Sequence, residues 1–292
     1  MENKRSVDAF GATALVGFAA LLAFNQVAIK VTSDGLQPVF QAGVRSLGGV
    51  VVLWLWTRWR GITITVPREA WPWGVLLGVI FGFEFVCLFL ALDVTTVART
   101  SVIFYTMPVW LALAAHFLLP GERLNTPRTL GLVLAVAGVA IALLDRSDLT
   151  APVYGELLAL AGAFGWAAIA LVVRMTPVSK VAPVGQLLFQ LVVSAPILLM
   201  TAVWFGPFLR DPDPIHWLGL SFQIIGVASL GFLLWFWLLS LYEASGVASF
   251  SFLSPVFAVI FGWAMLGEEI NASILIALAL VVVGLILINR RT

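Results

Sequence analysis

Charge is scarce in this chain. Its 292 residues include 16 Lys and Arg and 15 Asp and Glu, 11% together, where a soluble domain carries about a quarter. So few charges cannot cover a water-facing surface, and a disordered chain needs low hydrophobicity and high net charge. The net charge of +1 supplies no field to recruit nucleic acid or an acidic partner, so no nucleic-acid partner is expected. The single cysteine, Cys87, cannot close an intrachain disulfide. The two histidines, His116 and His216, sit at different depths of the apolar pattern and offer no pair for a metal or haem. Gly-x-x-x-x-Gly-Lys-Ser/Thr, Gly-x-Ser-x-Gly and a paired aspartate within an apolar run are all absent. ATP-driven pumping, serine hydrolysis and intramembrane proteolysis therefore lack their residues. No catalytic residue, cofactor or metal is expected.

Apolar sequence is abundant instead, at 61% of residues with a mean hydropathy of +1.06. Cutting at charges, prolines and glycine clusters leaves ten blocks: 9–31, 38–57, 71–92, 97–119, 127–144, 153–173, 182–204, 215–241, 245–266 and 271–289. Each is close to the ~20 residues a helix needs to cross ~30 Å of hydrocarbon. They are too long and too evenly apolar for the alternating strands of an outer-membrane barrel. Lys4 and Arg5 precede the first block as in a signal peptide, but no Ala-x-Ala exit follows, and the block reads as the first span. The expected fold is an all-α integral membrane protein of ten transmembrane helices. With a cytoplasmic amino terminus, eleven Lys and Arg fall on the inner side and four on the outer, so both termini are expected in the cytoplasm.

The halves share landmarks. Phe10-Gly11 matches Tyr154-Gly155, and Lys30 matches Arg174, at an offset of 144. Thr106-Met107-Pro108-Val109 matches Leu253-Ser254-Pro255-Val256; Gly121-Glu122 matches Gly267-Glu268, and Gly138 matches Gly284, the last two at an offset of 146. The ordered series marks a duplicated five-helix unit, residues 1–146 and 147–292. Five is odd, so the second copy enters the membrane inverted, which is a transporter architecture with a site near the midplane.

Ten spans, a Pro-Val in spans four and nine, and a Gly-Glu after each resemble the drug/metabolite transporter superfamily in its two-copy EamA form. Within it the chain is most similar to the YddG-type bacterial exporters of aromatic amino acids. Ala23-Phe24-Asn25 stands where the family often has a Trp-Gly pair, so its first-span site residues do not transfer directly. The resemblance implies a bacterial inner-membrane exporter of Trp, Phe and Tyr, with other neutral amino acids and drugs as further substrates.

Two ionisable residues lie deep in spans, Arg45 in span two and Glu84 in span three, roughly 10–12 Å from the same membrane face. Such groups are costly and are either paired or functional. They admit an ion pair locking the two helices, Arg45 as partner of a substrate carboxylate, or Glu84 as a proton-coupling site. Gln190 occupies the inverted place of Arg45, and Asn25 lies in span one; both can bind a polar ligand or a neighbouring helix. Pro108 and Pro255 free the carbonyls of Phe104 and Ser251, which in lipid must face protein or a cavity, so they read as hinges or kinks beside a central cavity. Trp166, beside Gly162, Ala163, Gly165 and Ala167, is the aromatic with most room for a ligand. Tyr105 follows, with Phe104, Phe85 and Phe252 as further lining. The expected function is export of aromatic or other neutral amino acids by alternating access through a midplane cavity, by a chain able to work as a monomer. A multidrug or other-metabolite carrier of the same fold and a channel-like pore are the alternatives.

Overall fold

The computed structural model describes residues 7–119, 122–145, 153–243, 250 and 252–289. Gly121, Ser251 and the charges at Lys4, Arg5, Arg146, Arg290 and Arg291 lie outside them. Among the described residues, nine helices are long and apolar enough to span a membrane: Ala9–Gly35, Pro38–Trp59, Arg68–Val94, Val97–Leu118, Thr126–Leu144, Val153–Met175, Pro183–Phe205, Pro214–Leu241 and Ala272–Asn289. Leu253–Leu266 is shorter and takes the ninth place in chain order. These are spans one to ten below.

Helix starts follow local chemistry. Side-chain oxygens of Asp8, Thr96, Asn125 and Asn271 accept from backbone N–H groups three residues on, which are orphan donors at any helix start. Prolines 38, 72, 108, 127, 183 and 214 sit in first turns, where a missing N–H costs nothing.

Two departures from regular helix stand out. Span four is interrupted at Tyr105–Thr106 by a turn that separates Val97–Phe104 from Met107–Leu118, where the proline alone suggested a kink. Thr106 patches the break, donating from Oγ1 to the Ile103 carbonyl and accepting Trp110 Nε1 at 2.9 Å. Span eight carries a π-helical stretch at Phe222–Gly231, which no proline announces.

The packing has the two-fold pattern of an inverted repeat. Span one packs on nine as six packs on four; three on six as eight on one; three on seven as eight on two. Spans two and seven, and spans five and ten, pair with their own counterparts. At the five–ten crossing a Cβ on Gly131 would lie 2.7 Å from the Gly284 carbonyl, and one on Gly138 2.8 Å from that of Ala277. Under the 146-residue offset, one of these contacts is the image of the other.

Candidate functional site

The break in span four sets the site. It leaves Tyr105 on the junction between two helical segments, buried, with the side chains of Gln26 in span one and Ser254 in span nine near its hydroxyl. The ring of Phe104 stacks on Trp166 of span six at 5.2 Å, and Tyr105 meets Trp166 edge-on at 6.1 Å. Trp166 can reach this position because its helix presents Gly162 and Gly165 to spans four and three: Cβ atoms there would lie 3.2 Å from Phe104 and from the Glu84 Cβ, respectively. Spans one, four, six and nine thus converge on one aromatic cluster with a polar edge. In span one, Asn25 Oδ1 and Gln26 Oε1 are buried with no hydrogen-bond partner.

A second part of the site lies on span three. Phe81, Phe85 and Phe89 form a ladder, with ring centroids 4.2 and 5.5 Å apart. The guanidinium of Arg45 lies over Phe85, 4.6 Å from its centroid. The ion pair open to Arg45 and Glu84 does not form: Arg45 Nε and Glu84 Oε2 are both buried without a hydrogen-bond partner. The reason is helical phase. Arg45 engages residue 85, while residue 84 points about 100° away, along the side packed on Gly165.

Of the other sequence candidates, Gln190 is half-buried in span seven. Phe252 packs in the core cluster of Val102, Ile103 and Val259, a different one from that holding Phe104 and Tyr105. Ser251 lies outside the described residues. Pro108 starts the second segment of span four, and Pro255 sits in the first turn of Leu253–Leu266. Gln26 was not singled out in the sequence; a glutamine beside Asn25 in an apolar span was its only signal. The histidines serve locally: His116 Nδ1 accepts the Leu124 N–H, and His216 Nδ1 accepts that of Asp213.

A polar network lies at the carboxyl end of span one. Lys30 donates to the carbonyls of Leu92 (2.9 Å) and Thr95 (2.7 Å), where span three ends. Glu268 accepts the N–H groups of Val97 (2.6 Å) and Ala98 (2.9 Å), where span four begins. Burial holds the Glu268 carboxyl above its ordinary pKa, opposed by those two N–H groups and by the Lys30 charge. Arg99 bridges Glu156 (2.7 Å) and Asp145 (2.9 Å), and Arg210 in the loop after span seven reaches Asp93 at 2.7 Å.

The EamA-like transporter family model matches residues 9–144 and 153–290. The uncharacterized transporter YoaV of Bacillus subtilis is 26% identical over 282 residues, 93% of this chain and 94% of that protein. The aromatic amino acid exporter YddG of Ancylobacter novellus is 30% identical over 231 residues, 76% of this chain and 77% of that one. A solved crystal structure 24% identical in sequence matches with a TM-score of 0.66, over 94% of this chain and 97% of its own.

Proposed function

Because the chain belongs to the EamA-like transporter family, we propose that it is a secondary carrier that exports aromatic and other neutral amino acids across a bacterial inner membrane. Residues 1–146 and 147–292 are its two repeats, and its site is reached alternately from either face. Both termini lie in the cytoplasm, following the Lys and Arg bias, so the face of Lys30 and Glu268 is external. Transport is facilitated diffusion, and one chain suffices, because spans of both repeats contribute to one site.

The observation that carries this reading is the cluster of Phe104, Tyr105 and Trp166 beside Gln26 and Ser254. Two stacked rings and an edge-on phenol suit a planar aromatic side chain, through stacking and apolar burial. The unpartnered amide oxygens of Asn25 and Gln26 are acceptors for a polar group on the same solute. The likeness to an aromatic amino acid exporter supports the same substrate class. Few fixed charges at depth favour a solute without net charge.

Counterflow in proteoliposomes tests it. Vesicles loaded with unlabelled Trp, Phe or Ala, and given no ion gradient, are expected to accumulate labelled Trp and Phe transiently and saturably. Trp166→Ala is expected to weaken this roughly tenfold, the loss of a stacking surface worth about 1 kcal/mol plus buried area. Accumulation only under a proton gradient would replace facilitated diffusion with coupling. No exchange under either condition would remove the amino acid reading.

A further inference from the structure

Resting on the amino acid reading above, we propose that Arg45 and Glu84 are the two poles of a zwitterion site. The guanidinium receives the α-carboxylate and the Glu84 carboxylate receives the α-ammonium. The substrate class is then free α-amino acids as such, rather than aromatic compounds at large.

Three ionic groups elsewhere in the protein, Arg99, Lys30 and Glu268, set the contrast. Arg99 has two carboxylates and a carbonyl, Lys30 two carbonyls, and Glu268 two backbone N–H groups. Arg45 and Glu84 are as deeply buried, each 4% exposed, yet Arg45 Nε and Glu84 Oε2 have no partner. They are near enough to feel each other's charge, although they form no ion pair. A buried charge with no partner is expensive, and a purely structural pair would close to contact. Two opposite charges held near but apart instead leave room for a ligand that carries both of their complements.

The surroundings fit such a ligand. The Arg45 guanidinium lies over the Phe85 ring, which takes up none of its N–H groups in a conventional hydrogen bond, and the unpartnered Nε side is left for a planar carboxylate. Glu84 packs against Gly165, the residue before Trp166, so an amino acid held by its backbone charges has its side chain beside the Trp166–Phe104 stack. A zwitterion satisfies both poles and adds no net charge; an amine or an acid alone leaves one pole unpaired, which a desolvated site tolerates poorly.

Competition against counterflow of labelled phenylalanine tests the assignment, with phenylalanine, phenethylamine (no carboxylate) and 3-phenylpropanoate (no ammonium) as competitors. In the wild-type protein both analogues are expected to compete on the order of tenfold more weakly than phenylalanine, or worse. Glu84→Gln is expected to erase the preference over 3-phenylpropanoate while keeping that over phenethylamine. Arg45→Gln is expected to do the reverse. Analogues as effective as phenylalanine on the wild type would overturn the proposal without any variant, so a misfolded variant does not shelter it. Variants that weaken all three competitors alike would overturn it too, by showing a structural role. Absence of any phenylalanine exchange in the wild type would instead remove the amino acid reading on which the proposal rests.

Discussion

The arginines show how little a residue's identity says about its surroundings. In the sequence, Arg99 reads as a surface charge at the start of span four and Arg45 as the buried one. Both are buried, at 4% exposure, and they differ in company. Arg99 ties the start of span four to Asp145 at the end of span five and Glu156 at the start of span six. Removing it by Arg99→Met leaves two carboxylates facing each other out of water, which costs about 3–5 kcal/mol. The apparent melting temperature in detergent is expected to fall by on the order of 10 °C. Arg174→Met, which removes the partner of Glu122 in a pair about half exposed, is the control and is expected to shift it little, since exposed pairs contribute about 0–1 kcal/mol. Equal small losses in both would mean that water reaches the Arg99 cluster.

At the scale of helices, the hydropathy pattern located the spans but not their faces. Span ten is apolar all round, so no periodicity indicates which side meets span five, and the paired landmark glycines had to supply it. They mark where the two backbones touch: a Cβ on Gly284 would lie 2.6 Å from the Gly131 carbonyl and 3.0 Å from the Ala135 nitrogen. Backbone cannot move aside as a side chain can, so Gly284→Val is expected to push spans five and ten apart at a cost of about 1–3 kcal/mol. Gly17→Val, where nothing lies within 4 Å of the added Cβ, is expected to leave thermal stability nearly unchanged. Both are read by the same melting experiment. The same blindness to faces explains the partial legibility of the site. Pro108 announced the break in span four, and the small residues around Trp166 announced the close approach of span six to Glu84 and Phe104. That Gln26 turns towards Tyr105, that Phe252 turns to another core cluster, and that span eight winds as a π-helix depend on helical phase and tertiary packing. A uniformly apolar sequence does not encode these visibly.

For the whole molecule, the inverted repeat makes a statement about states. Lys30 and Glu268 have Arg174 and Glu122 as their symmetry counterparts. On one face, Lys30 and Glu268 hold the junction of spans three and four, the first half-buried and the second buried, each through two hydrogen bonds to backbone. On the opposite face Arg174 and Glu122 take each other at 2.9 Å, exposed. Two chemically matched sets in different arrangements are what one closed and one unlatched face require, and the proposed alternating access would exchange the roles. The proton linkage of the closed face then follows from Glu268. Its carboxyl is held above the ordinary value when closed and returns towards it when opening brings water. The closed state therefore binds a proton more readily. Its advantage is complete below the ordinary carboxylate range and is lost as pH rises through the raised value. A reporter cysteine at Thr100, buried just inside this junction, in a Cys87→Ser background and lipid nanodiscs, measures opening by its maleimide labelling rate. Normalised to the exposed position Leu209→Cys on the same face, labelling is expected to be slower at about pH 5 than at about pH 8. Glu268→Gln, neutral at both, is expected to label slowly throughout. A normalised rate that keeps its pH dependence in Glu268→Gln would place the proton on another group, and faster labelling in acid would reverse the sign of the linkage and with it the assignment of this face as the closed one.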